Sequence, residues 1–316
     1  MLIDLLRESP AAWIGLVFVF SLLVGSFLNV VIHRLPIMLE REWRAQAEEV
    51  LGSNGLSDTS TAGNGRSQGK QAPTTRAEPP ATYNLVVPRS ACPHCGAQIK
   101  AWQNIPVISY LLLKGKCASC RAPISLRYPI VELVTALLSA AVAWKFGFTW
   151  YAGAALVLTW FLIALTFIDY DTQLLPDNMT LPLLWLGLLV SLLPTNPATG
   201  LPIDTQSSVL GAAAGYLSLW SVYHLFKLIT GKEGMGYGDF KLFAALGAWL
   251  GWQMLPLIIL LSALTGAIVG VTLIVARGRD KNIPIPFGPY LAAAGWIALM
   301  WGDTLVSSYL RASGIH

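Results

Sequence analysis

The sequence predicts an all-α polytopic membrane protein of about eight transmembrane helices, with one small polar domain inserted after the first span. Composition is the first reason: 54% of the residues are apolar and only 12% are charged, which is the profile of a multi-span chain. Periodicity is the second, because the long apolar runs lack the strict alternation that barrel strands require. The third is a single large polar insertion, 34–128, between the first two runs.

Hydropathy sets the spans near 11–33, 129–147, 151–170, 179–194, 207–229, 240–252, 254–276 and 288–309. About 20 residues suffice to cross a bilayer. The run of 35 residues from Leu242 to Ala276 is therefore too long for one span, and it should break near Gly251-Trp252-Gln253. The first run contains Asn29 and is followed by no small-residue cleavage site, so it should stay as a span.

Of the 21 Lys and Arg residues, all but Arg7, Lys145 and Arg311 lie in 34–128, 171–178, 230–239, 277–287 or at their edges. The positive-inside bias places those segments in the cytoplasm. The net charge of +4 thus reports topology, and no basic stripe with interleaved aromatics points to nucleic acid.

Four segments follow along the chain. Residues 1–37 hold the first transmembrane span. Within 38–81, residues 38–51 read as a short amphipathic helix near the membrane surface. The stretch from Gly52 to about Ala81, rich in Gly, Ser, Thr, Pro and Gln, cannot bury a core and reads as a flexible loop. Residues 82–127 form a compact small domain, and 128–316 the remaining transmembrane region. There is no internal repeat.

All four cysteines lie in the small domain, as Cys92-Pro93-His94-Cys95 and Cys117-Ala118-Ser119-Cys120, with 21 residues between the pairs. Two C-x-x-C knuckles at this separation suit tetrahedral thiolate coordination of zinc. A domain of about 45 residues needs such a staple, and the metal would supply folding energy. Cytoplasmic placement argues against structural disulfides, and a redox dithiol pair is the alternative. Four thiolates complete the shell without His94 and leave no open position for catalysis.

Two carboxylate clusters sit at the ends of apolar segments: Asp169, Asp171 and Asp177 in one, Asp239 in the other. An acid at the edge of hydrocarbon is costly, so it is a functional-site hypothesis. An aspartic hydrolase needs one neutral carboxylic acid and one carboxylate with a water between them, and Asp169 and Asp239 are placed to be that pair. Gly236 and Gly238 would allow unusual dihedrals and close approach of a substrate backbone. Leu175-Pro176 would leave an extended segment beside Asp169. Two other readings stay open: Asp177 and Asp239 as helix N-caps, or the acids as a proton relay in a transporter.

The motifs Gly25-Ser26-Phe27-Leu28-Asn29 through Arg34-Leu35-Pro36, the two cysteine pairs, Asn104-Ile105-Pro106 and Arg127-Tyr128-Pro129 occur in that order. They are followed by Ile168-Asp169 through Pro176-Asp177, Gly234-Met235-Gly236-Tyr237-Gly238-Asp239-Phe240-Lys241 and Pro284-Ile285-Pro286-Phe287-Gly288-Pro289. With these motifs the chain resembles, over nearly its whole length, the bacterial type IV prepilin leader peptidases that are bifunctional with N-methyltransferase activity. The resemblance implies an aspartic endopeptidase of the Gly-x-Gly-Asp class, working at the cytoplasmic face of the inner membrane. It would remove the basic leader of type IV prepilins and type II secretion pseudopilins after a Gly, then methylate the new amino terminus, usually a Phe, with S-adenosylmethionine.

The family's catalytic aspartates map onto Asp169 and Asp239, with Asp177, Gly236, Gly238 and Lys241 in support. Asp169 is preferred to Asp171 because its eight-residue step to Asp177 matches the related archaeal preflagellin peptidases. No Rossmann-type fingerprint is present for the methyl donor. The resemblance points to the first cytoplasmic loop with Gly96, and Asn29 and Arg34 are further candidates; a turn closing the cysteine knuckle explains Gly96 equally well. Glu233 and the acids of 38–51 could meet a basic leader. Proton-coupled transport, or a methyltransferase or scaffold without protease activity, are the other functions compatible with the residues alone.

Overall fold

The computed structural model describes residues 2–54, 83–195, 201–232, 234–277 and 285–314. Most of the Gly/Ser/Thr-rich stretch, Glu233 and Pro284 lie outside the described residues. In chain order the helices are α1 (Leu2–Glu8), α2 (Pro10–Asn54), α3 (Ile108–Leu112), α4 (Arg127–Phe146) and α5 (Trp150–Thr172). Then come α6 (Asp177–Val190), α7 (Thr205–Thr230), α8 (Tyr237–Leu250), α9 (Leu255–Arg277) and α10 (Gly288–Ala312). Extended pairing in the small domain is confined to isolated bridges, Ala91 with Gln98 and Lys116 with Pro123.

Each of the eight expected spans coincides with a helix, and 5 are long and apolar enough to cross a membrane: α2, α4, α5, α7 and the segment containing α9. Helices α6 and α8, each of 14 residues, reach only about 21 Å at 1.5 Å per residue, short of a hydrocarbon core about 30 Å thick. The break between α8 and α9 falls at Gly251, whose φ of +83° stops the helix. Residues 38–51 do not form a separate surface helix. They continue α2 past Pro36 without interruption, and an i,i+4 pair of Glu40 with Arg44 at 2.5 Å lies on their exposed face.

Helix α8 is the hub, touching α6, α7, α9 and α10, while α2, α4 and α5 form a second group joined to it through α10. Almost every residue from Asp239 to Gly251 is buried, as an apolar-all-round helix must be. Small residues permit this. Gly211 of α7 and Gly247 of α8 meet backbone to backbone, a Cβ on Gly215 would stand 2.7 Å from Phe243 O, and Ser208 Oγ donates to Ala248 O at 2.6 Å. Close small-residue crossings with interhelical hydrogen bonds are how helices associate where lipid removes the hydrophobic drive. On the α6 side, Trp249 Nε1 donates to Leu183 O at 2.8 Å, its indole lying over Gly187.

Candidate aspartate site and cysteine centre

Four chain ends converge at one end of the bundle: the carboxyl terminus of α5 and the amino termini of α6, α8 and α10. Helix α5 stops after Thr172 with Gln173 in the left-handed region (φ 53°), its N–H capping Asp169 O at 2.9 Å. Residues 174–176 run extended, as the Pro176 ψ of 137° shows. Leu175, on this segment, separates the two walls of the site. A Cβ on Gly238 would lie 2.5 Å from Leu175 Cβ, and one on Gly288 would lie 3.1 Å from Leu175 Cδ1.

Asp169 and Asp239 are both buried, at 5% and 7% exposure, and lie within electrostatic reach of one another. The N–H of Gly288 donates to Asp169 Oδ2 at 3.0 Å, so the positive end of α10 faces that carboxylate. Asp239 Oδ1 has no hydrogen-bond partner among the described residues. Asp239 sits in the first turn of α8, whose N-cap is Gly236 with no side-chain cap. Asp239 is thus not the N-cap, although its carboxylate accepts a backbone hydrogen bond from Gly236, the N-cap residue, and leaves only Oδ1 free.

Asp177 does not cap α6 either. The N-cap is Pro176, and the Asp177 carboxylate takes Lys241 Nζ at 2.6 and 2.7 Å, joining the first turn of α6 to the second turn of α8. Asp171 points away from Asp169 and pairs with Arg127 at the start of α4, whose guanidinium also lies 5.5 Å from the Phe167 ring centroid. Unusual dihedrals at the glycines are not observed: Gly236 has φ −79° and ψ 148°, and neither it nor Gly238 has positive φ. The close approach that Gly238 permits is to Leu175 of the same chain.

The donor at Asp169, Gly288, was carried in the motif Phe287-Gly288-Pro289 without an assigned role. A Pro just inside a helix start marks a helix N-terminus with its free N–H groups, which is the available signal. The partnership of Arg127 with Asp171 had none, since an ion pair 44 residues apart leaves no local pattern.

The cysteine centre consists of two knuckles of one geometry. In the first, Cys92 N–H donates to Ala97 O at 2.9 Å, Gly96 N–H returns to Cys92 O at 2.9 Å, and Gly96 has φ +68°. In the second, Cys117 N–H donates to Ala122 O at 2.8 Å, Arg121 N–H returns to Cys117 O at 3.0 Å, and Arg121 has φ +59°. All four Sγ atoms lie within 4.8 Å of one another. Backbone N–H groups of Cys120 and Ser119 directed at Cys117 pull its thiol down to about 6, while at Cys120 the backbone of Ala122 is outweighed by desolvation and the other three thiols, which push it up to about 11. The cluster is compatible with zinc.

The three residues considered for the methyl donor have separate partners. Arg34, buried in α2, donates to Asn84 O at 2.9 Å and Pro88 O at 2.6 Å, fastening the small domain to the first span. Asn29 Nδ2 donates to Tyr128 O at 3.1 Å, tying α2 to α4. Gly96 supplies the left-handed turn of its knuckle, and a Cβ there would meet no atom within 4 Å.

Comparison with known proteins gives two family matches. Residues 19–146 match the bacterial peptidase A24 N-terminal domain, and residues 156–271 match the type IV leader peptidase family. Among curated proteins, the prepilin leader peptidase/N-methyltransferase of Pseudomonas aeruginosa is 56% identical over 313 residues, covering 99% of each chain. The protein of the same description from Aeromonas hydrophila is 56% identical over 310 residues, covering 98% of each. The one from Neisseria gonorrhoeae is 49% identical over 302 residues, covering 96% of this chain and 95% of its own. No solved structure gives a significant match.

Proposed function

The chain belongs to the type IV leader peptidase family, and from that premise we propose that it is an inner-membrane aspartic endopeptidase that removes the basic leader of type IV prepilins and type II pseudopilins after a Gly. We further propose that it then methylates the new amino terminus with S-adenosylmethionine. The transporter alternative falls with the family assignment, since relatives matched end to end are prepilin leader peptidase/N-methyltransferases.

One observation carries the proteolytic reading: two buried carboxyls from α5 and α8, in electrostatic reach of each other, meet where four helix ends leave extended backbone between them. Two acids so placed share a proton. Asp169, which accepts from Gly288 N–H, is suited to be the carboxylate that draws a proton from the attacking water. Asp239, with an oxygen that no donor reaches, is suited to carry the shared proton to the peptide carbonyl oxygen. Proton transfer to the departing amine then breaks the C–N bond. The pair of Asp177 with Lys241 fixes α8 against α6 and so sets the height of Asp239.

A prepilin would lie with its apolar helix in the bilayer and its leader in the cytosol, which brings the cut to the depth of these acids. Cys92, Cys95, Cys117 and Cys120 would hold zinc as a closed, structural staple of the small domain. S-adenosylmethionine supplies a methyl carbon on a positive sulfur. The amine lone pair forms the N–C bond as the C–S electrons return to sulfur, and a proton leaves the product nitrogen.

The test is to incubate the purified chain with a prepilin peptide, with and without S-adenosylmethionine, and to weigh the products. Leader loss followed by a gain of one methyl group is the expected result. Asp169→Ala, Asp239→Ala and the Asn variants should each lower cleavage at least about a thousandfold while abundance stays unchanged. Wild-type cleavage in these variants would remove the pair as catalyst.

A further inference from the structure

Several motifs remain unused by the aspartate pair, and they converge on one side chain. Glu132 stands on α4 at 8% exposure. Its Oε2 accepts Val107 N–H at 2.8 Å, and Ser26 of α2 also hydrogen-bonds it. Gly25 packs so closely that its Cβ position is 2.7 Å from Glu132 Cα. Asn29, one turn along α2, reaches Tyr128 at the start of the same helix.

The loop that supplies the Val107 amide follows Asn104-Ile105-Pro106 and is strained. Val107 has φ 56° and ψ −49°, and Ile108 N–H closes back onto Pro106 O at 2.5 Å. This is a positive-φ γ-turn, a rare and costly form, and a β-branched residue is poorly suited to it. Such a turn persists when its surroundings over-determine it, and it is found at ligand clamps. Here the carboxylate of Glu132 pins it.

The charge of Glu132 is the unexplained part. No Lys, Arg or His pairs with it among the described residues. A carboxyl withdrawn from water must be matched by a cation or by a proton as well as by hydrogen bonds, and an intramembrane acid is by default a pointer to a ligand path. Pinning a loop requires only an acceptor oxygen, which a neutral amide provides equally.

We propose that Glu132 is the anionic contact of a second site, built from α2, α4 and the 104–107 loop, that binds a cationic group of the methylation reaction. Two cations belong to that reaction: the sulfonium of the methyl donor and the ammonium of the freshly cut amino terminus. The inference rests on the methylation reading above and assigns it a place. That place is tied to the carboxyl end of α5, because Arg127, about 7.5 Å of helical rise from Glu132, pairs with Asp171.

The experiment uses the full chain in detergent and the variant Glu132→Gln, which keeps the acceptor for Val107 N–H and deletes the charge. Four quantities are measured: cleavage of a prepilin peptide, methylation of a pre-cut peptide, thermal unfolding, and calorimetric affinity for S-adenosylmethionine against its uncharged thioether product. Cleavage and melting should be unchanged while methylation falls by about tenfold to a hundredfold, the worth of one charged contact. If the sulfonium is the guest, the preference for donor over thioether collapses in the variant. If the ammonium is the guest, that preference survives and the KM for pre-cut peptide rises about tenfold or more.

Wild-type methylation with both constants unchanged overturns the proposal. Should Glu132→Gln not fold, the wild-type chain is treated with an apolar carbodiimide and labelling of Glu132 is read by mass spectrometry. Protection by S-adenosylmethionine or by pre-cut peptide supports the site, and no protection by either overturns it. A wild type that cleaves but never methylates overturns the methylation reading and this site with it. A wild type that methylates normally beside an unaffected Glu132→Gln overturns the site alone.

Discussion

Gly288 N–H donates to Asp169 Oδ2 at 3.0 Å, and the pro-chiral hydrogen of the same glycine faces the same oxygen: a Cβ there would stand 2.6 Å from Oδ2. The residue that orients the carboxylate must therefore be one without a side chain. Gly288→Ala should displace Asp169 while leaving the rest of α10 in place. Because misplacement of a reacting group by about 1 Å can cost about a hundredfold, cleavage should fall by about that factor. Single-turnover cleavage of a prepilin peptide, with a melting curve run alongside, checks it; full activity would mean that α10 does not set Asp169.

The bidentate contact of Lys241 with Asp177 spans two helix starts, with the lysine half-buried and the acid half-exposed. Partly solvated pairs of this kind contribute about 1 kcal/mol or less to stability. The larger effect should be on kcat/KM, since the pair sets Asp239 two residues before Lys241. Lys241→Met and Asp177→Asn should each lower kcat/KM about three- to tenfold, a loss of about 1 kcal/mol of transition-state stabilisation. In a double-mutant cycle the second substitution should cost little once the first is made. Fully additive losses would show that the two residues act separately.

What could be read from the chain before its structure follows the range of the forces involved. Spans and the break at Gly251 were legible because hydropathy and a lone glycine are local signals. The continuation of α2 through 38–51 was not, because Pro36 and the charged residues after it end the apolar run, and no local pattern shows that the helix itself runs on. Asp177 looked like an N-cap because its neighbours fit that pattern; its actual partner lies 64 residues away. Gly288 reaches Asp169 across 119 residues, and only packing of α10 on α5 brings them together. Glu132 lies five residues into α4, and its lack of a cation is a property of three converging segments that no local pattern carries.

The two cysteine knuckles offer a controlled comparison, because Gly96 and Arg121 occupy the same left-handed position in each. A side chain there costs about 1–2 kcal/mol. Gly96→Ala should destabilise the small domain by about that amount with no steric cause, since nothing lies within 4 Å of the added Cβ. Arg121→Gly should stabilise the second knuckle, less the entropy that glycine adds to the unfolded chain. Removing metal with a chelator, or replacing Cys92 or Cys120, should unfold this domain and reduce methylation before hydrolysis is touched. Limited proteolysis of 83–126 with metal content measured in parallel reads all three; equal protease resistance in every sample would show that no metal staples the domain.

The crossing of α7 on α8 sets how far Asp239 can rise toward Asp169, and it depends on two glycines meeting backbone to backbone. A Cβ on Gly211 would enter the carbonyl of Gly247, and one on Gly247 would enter that of Gly211. Neither contact can be relieved by a rotamer change, because both partners are main chain. Gly247→Ala should therefore push α7 off α8, breaking the bond from Ser208 Oγ to Ala248 O at an overpacking cost of about 1–3 kcal/mol. On α6, Gly187→Ala meets the Trp249 ring instead, a side chain that can give way, so its cost should be smaller. Unfolding in mixed micelles would rank the variants, and cleavage should fall with Gly247→Ala further than stability alone explains. If Gly187→Ala proved the more damaging of the two for cleavage, α8 would have to be positioned from α6 and not from α7.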